Sequence, residues 1–100
     1  MVNTREEVIS TIRANKAELQ RLAVVRISVF GSAARDELQA SSDVDLLVEF
    51  APGKLTLRNF MGAKFLLEEV FGRKVDLATA DSVRRPRLQR AIEKDIIYAA

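Results

Sequence analysis

The stretch Val29-Phe30-Gly31-Ser32, followed by Ser42-Asp43-Val44-Asp45-Leu46-Leu47-Val48, decides how this 100-residue chain is read. Asp43 to Phe50 reads as a strand. Alternate side chains of a strand share a face, so Asp43 and Asp45 project together. Two carboxylates about 5 Å apart repel by roughly 3 kcal/mol at an effective dielectric of about 20. A chain that keeps them there needs a compensating cation or a proton. Hard divalent cations such as magnesium take carboxylate oxygens and usually keep positions open for phosphate. The pair therefore points to a metal–phosphate site.

Working outward, Val24 to Phe30 is rich in β-branched residues and reads as the preceding strand. Gly31-Ser32 breaks it, and Ala33 to Leu38 reads as a short helix. Glycine lets backbone approach a ligand closely, and N–H groups at a helix start, helped by the serine hydroxyl, can hold anionic oxygens. Taken alone, Gly31-Ser32 is as well explained by a turn with a serine cap. The strand from Asp43 is apolar almost throughout after Asp45, which suits a strand covered on both faces. Asp76, within Lys74-Val75-Asp76-Leu77-Ala78, is a third acid embedded in an apolar strand. Burying a lone carboxylate is costly, so it needs either a metal or a base such as Arg73 or Lys74. Arg35, three residues past Ser32, can point at phosphate or stand solvated.

The remaining elements alternate around this centre. Asn3 or Thr4 can cap a first helix, Thr4 with Glu7 fitting a capping box, and that one helix carries Val8, Ile9, Ile12, Leu19 and Leu22 on its apolar side. Ala51-Pro52-Gly53-Lys54 is a turn. Leu57 to Phe71 is a helix with an apolar stripe of Leu57, Phe60, Met61, Phe65, Leu66 and Val70, ended by Gly72. Asp81 or Ser82 caps a last helix with Pro86 in its first turn, and Ile96 to Ala99 forms a final short strand or helical end. Arg84, Arg85, Arg87 and Arg90 read as a charged face or as a contact for an acidic partner, nucleic acid or nucleotide. Tyr98 reads as packing. The expectation is one α/β (α+β) domain over residues 1–100 with a small mixed sheet flanked by helices.

Composition narrows the chemistry. Lys plus Arg number 16 and Asp plus Glu 14, for a net charge of +2, which gives no argument for direct nucleic-acid binding. There is no cysteine and no histidine. Disulfides, thiolate sites, zinc–histidine sites and serine–histidine triads are excluded. Carboxylates are left as bases near neutral pH, and oxygen atoms as metal ligands. No apolar run reaches the roughly 20 residues of a membrane span, and the start does not read as a signal peptide. The expected location is the cytoplasm.

Together, Gly31 and Ser32, Asp43 and Asp45 at the head of an apolar strand, and Asp76 on a later one resemble the minimal nucleotidyltransferase family of the DNA polymerase β-like superfamily. The resemblance covers nearly the whole chain. One departure is visible: many members follow the arginine with glycine, whereas this chain has Arg35-Asp36-Glu37. The resemblance implies a nucleotidyltransferase fold that binds ATP and two magnesium ions. Asp43 and Asp45 would bridge metals and triphosphate. Asp76 would hold the catalytic metal and help activate the acceptor hydroxyl. Gly31 and Ser32, with Arg35, would hold the phosphates. It further implies an antitoxin that transfers AMP to a tyrosine of a HEPN-domain ribonuclease toxin. A chain this short has little room for a substrate-binding domain, so a partner or self-assembly must bring the acceptor. Two alternatives are an antitoxin that masks the toxin by binding alone and a small-molecule nucleotidyltransferase.

Overall fold

Asn15 divides the first helical segment in two. The structure, a computed structural model, describes residues 1–79 and 86–100, without the side chains at 87, 88 and 91. Helix α1 (Arg5–Ala14) begins at Thr4, whose Oγ1 accepts from the Glu7 N–H, while Glu7 Oε1 accepts from the Asn3 N–H. The single helix expected from the apolar spacing instead stops at Asn15 and restarts as α2 (Lys16–Arg21). The Asn15 amide donates to the Thr11 carbonyl at 2.8 Å. Asparagine competes in this way with the helical backbone ladder.

Strand β1 (Val24–Phe30) leads into a one-turn helix α3 (Gly31–Ala34) and then into β2 (Val44–Phe50). The expected helix over residues 33–38 is thus displaced to start at Gly31 and stops before Asp36, which adopts a left-handed backbone with φ 58°. Glycine favours that conformation. Asp36 occupies it while its carboxylate accepts from the Arg5 N–H at 2.7 Å, an otherwise orphan donor of the first turn of α1. Helix α4 (Leu57–Phe71) is capped by Thr56, whose side chain accepts from the Asn59 N–H, and ends at Gly72 in the left-handed conformation. Strand β3 (Val75–Thr79), helix α5 (Pro86–Asp95) and strand β4 (Ile97–Tyr98) complete the order. Pro86 opens α5, as expected; the caps expected at Asp81 or Ser82 lie outside the described residues.

The described strands form one mixed sheet in the order β3-β2-β1-β4. β1 runs antiparallel to β2 and β4, and β2 runs parallel to β3, with α4 as the crossover that a parallel pair requires. On one face Val44, Leu46 and Val48 are at most 1% exposed and pack with Val8, Ile12, Ala63, Leu67 and Phe71 from α1 and α4. The other face carries Asp45, Leu47 and Glu49 of β2 and Asp76 of β3. β2 is therefore not covered on both faces: its burial alternates. Helix α5 packs against β1 and α3, and Phe30 and Ile92 are buried outside the main cluster.

The inward side of α4 departs from its expected stripe in part. Phe60, Leu66 and Val70 do pack against the core, but Leu57 and Phe65 face solvent at 79% and 59% exposure. The most buried row is Ala63, Leu67 and Phe71, where the sheet lies against the helix. No helix among the described residues is long and apolar enough to cross a membrane.

Candidate active site

Sheet register gathers the acids. Asp45 of β2 pairs with Asp76 of β3 in the parallel ladder and with Phe30 in the antiparallel one. Direct partners on neighbouring strands present their side chains to the same face, so Asp45 and Asp76 share the open face. Asp43 stands two residues earlier, just ahead of β2, and is exposed. Asp76 is exposed too, contrary to the expectation of a buried carboxylate, because β3 edges the described sheet and its alternation turns Asp76 away from α4. No set of three acidic side chains among the described residues is already drawn together as a closed metal-ligand cluster.

Electrostatics still mark Asp45. Its carboxyl is pushed up from 3.8 to about 6, first by burial, then by the negative charges of Asp76 and Asp43; Arg35 opposes the shift. A half-buried carboxyl held against two others favours a proton or a cation. All the donors are hard oxygens, which suits a divalent ion of the magnesium class.

Gly31 closes the other side. Its φ of 68° is left-handed, and a Cβ built on it would overlap the Asp45 carboxylate. Glycine is thus required twice, by conformation and by contact. Ser32 follows in the same turn, half-buried, with its carbonyl accepting from the Glu37 N–H at 2.8 Å. Arg35 leaves that turn and pairs with Asp95 of α5 at 2.7 Å and Glu37 at 3.3 Å. These hydrogen bonds, Asp95 first, hold its guanidinium above its ordinary value. Asp95 was not singled out by its sequence context, since only the packing of α5 beside α3 brings it to Arg35.

Arg73 is the other residue whose role the sequence conceals. It is not the partner of Asp76. At 7% exposure, its Nε donates to the Val2 carbonyl and its Nη1 to those of Gln39 and Ser42. Of the basic cluster, Arg84 and Arg85 and the Arg87 side chain lie outside the described residues; Arg90 is exposed. Tyr98 is 54% exposed, with the Arg26 guanidinium 5.0 Å from its ring centre, so it is not packed in the core.

A glycine turn against an Asp-x-Asp at the head of a strand, with a third acid in register on the adjacent parallel strand, defines the class: the chain belongs to the nucleotidyltransferase domain family, whose pattern matches residues 10–99. Among its relatives is the protein adenylyltransferase MntA of Thermococcus cleftensis, 35% identical over 96 residues and covering 95% of each chain. A solved structure described as a candidate minimal nucleotidyltransferase is 35% identical, covers 89% of this chain and 93% of its own, and superposes with a TM-score of 0.70. The fold is shared as well with one chain of a complex between tri-AMPylated Shewanella oneidensis HEPN toxin and MNT antitoxin, at a TM-score of 0.56 and 18% identity over 88% and 71% of the two chains.

Proposed function

We propose that this chain is a magnesium-dependent protein adenylyltransferase that acts as an antitoxin, moving AMP from ATP to a tyrosine hydroxyl of a HEPN-domain toxin, as one domain over residues 1–100. The observation that carries the reading is Asp45, a half-buried carboxyl pressed by both Asp76 and Asp43 beside a glycine turn. The name of the Thermococcus relative supports AMP transfer to protein. The HEPN toxin in the structural neighbour supplies the class of acceptor.

In this reading Asp43, Asp45 and Asp76 would hold the magnesium ions. Bound there, the ions would neutralise charge on the triphosphate and on the reacting oxygens. The backbone of Gly31 and Ser32, with the serine hydroxyl, holds the outer phosphates. Arg35 lies near enough to Asp45 to lower its proton affinity and can exchange its carboxylate partners for phosphate. The acceptor approaches over the open sheet face, where Ser28, Leu47 and Glu49 line a groove. The tyrosine oxygen attacks the α-phosphorus, and the bond from that phosphorus to the bridging oxygen breaks. Pyrophosphate leaves, and the phenolic proton passes to Asp76, which is open to solvent. Catalysis is then mainly alignment and charge neutralisation.

The test incubates the protein with ATP labelled at the α-phosphate, magnesium and the product of the neighbouring gene. Label on a toxin tyrosine, lost when Asp43 and Asp45 are both changed to Asn, is the expected result. Toxin inhibition without label would overturn it in favour of masking by binding alone, and label on a small molecule would overturn the protein acceptor.

A further inference from the structure

Two of the three acids are fixed by the sheet ladder; the third is not. Asp45 and Asp76 sit within paired strands, whereas Asp43 precedes β2. Its place is set by the loop that delivers it, residues 39–42. We infer that Arg73 is a positioning residue that clamps this loop and thereby sets how tightly the acidic site holds a divalent cation. The inference rests on the reading of the aspartates as metal ligands and extends it to a side chain that touches none of them.

The contacts are specific to a guanidinium. Arg73 Nη1 donates to the carbonyls of Gln39 at 2.6 Å and Ser42 at 3.1 Å, with Ala40 at 3.4 Å. Nε donates to the Val2 carbonyl at 2.6 Å, and Nη2 to Asn3 Oδ1 at 3.2 Å. Each of these acceptors is neutral. A buried cation held only by dipoles costs more than an apolar side chain of similar volume would, so stability alone gives a poor account of it. What the arrangement achieves is convergence: carbonyls along four residues of loop turn inward to one group, and the same group ties them to the amino terminus. The loop is closed further by the Ser42 N–H donating to Gln39 and the Gln39 N–H donating to Ser42 Oγ, both at 3.0 Å. Immediately after Asp43, the Val44 N–H donates to the Lys74 carbonyl at 3.0 Å. Arg73 and its neighbour therefore grip the chain on both sides of Asp43. A fork with five fixed donors does this; a lysine ammonium, a point charge on a flexible stem, does not.

The test is Mn2+ binding by the intact protein, read from the paramagnetic resonance of free Mn2+ without nucleotide, together with amide hydrogen exchange. Arg73→Lys is expected to weaken Mn2+ binding by about ten- to a hundredfold, the usual effect of losing a group that orients a metal ligand. Exchange should quicken at residues 40–43 while β1 and α4 stay protected. Should that variant fail to fold, changing the exposed Ala40 and Ser41 together to Gly loosens the loop with Arg73 intact, and is expected to weaken Mn2+ severalfold. Wild-type affinity in a folded Arg73→Lys protein, or in the double-glycine protein, overturns the inference. Quickened loop exchange with unchanged affinity overturns it while leaving the ligand reading standing. Failure of the unsubstituted protein to bind Mn2+ through Asp43 and Asp45 overturns both.

Discussion

The two faces of β2 do different work with alternate residues of one strand. Val44, Leu46 and Val48 are sealed under α1 and α4. Asp45, Leu47 and Glu49 face the open side, where Asp45 meets Asp76 across the ladder. On the covered face burial is favourable throughout. On the open face one carboxyl is partly desolvated beside two others, an arrangement that costs stability unless a proton or a cation offsets it. The contrast teaches that the covered face can support strain on the open one, because both hang on the same backbone ladder and a shift of one residue would exchange them.

The comparison breaks most sharply at the acids. Changing Asp43 and Asp45 together to Asn should reduce AMP transfer at least about a thousandfold, as loss of charge stabilisation at the reacting centre does, while the melting temperature holds or rises. Label transfer and a thermal melt check both halves; a folded double variant that still transfers would remove the open face from the chemistry. On the covered face, Phe71→Ala should cost about 3–5 kcal/mol in urea unfolding, since Phe71 is fully buried. At the seam between strand and turn, Gly31→Ala should cost about 1–3 kcal/mol through the left-handed backbone and the overlap with Asp45, and it should weaken ATP binding in calorimetry.

A smaller effect is set by pH. The folded Asp45 carboxyl titrates near 6, above its unfolded value of 3.8. The folded protein thus binds a proton that the unfolded chain has released. The contribution of Asp45 to metal-free stability should be largest near and below pH 4 and fall as pH rises to about 6. The full shift corresponds to about 3 kcal/mol, which screening of a half-exposed group reduces to about 1–2 kcal/mol. Denaturant melts across this range check it: the Asp45→Asn protein should lose the slope, and added magnesium should offset the decline. The smallest effect is expected at the outer side of α4, where Leu57→Ala should change stability by less than about 0.5 kcal/mol; a larger loss there would mean that this side is covered.

Local rules carried much of the fold. β1 and α4 fall where β-branched content and the Gly72 stop put them, and β4 follows the terminal apolar run. The acids of the candidate site stood out because Asp43 and Asp45 lie one residue apart at the head of an apolar run, although Asp43 falls just ahead of β2 and not within it. The misreadings share one cause. The stripe of α4, the burial of Asp76 and the double cover of β2 all depend on which neighbour lies against an element, and hydrophobicity along the chain does not say. Arg73 and Asp95 were hidden for the same reason: their partners lie about 30 to 70 residues away in the chain.

The chain alone set the chemistry on offer: oxygen ligands without imidazole or thiol, a glycine turn, and two acids one residue apart at the head of a strand. Tertiary structure decided the register that sets Asp76 opposite Asp45, the closeness of Gly31 to that carboxylate, and the burial that raises its proton affinity. Local periodicity follows from backbone geometry and can be read along the chain, whereas register and desolvation arise only when distant segments exclude water together.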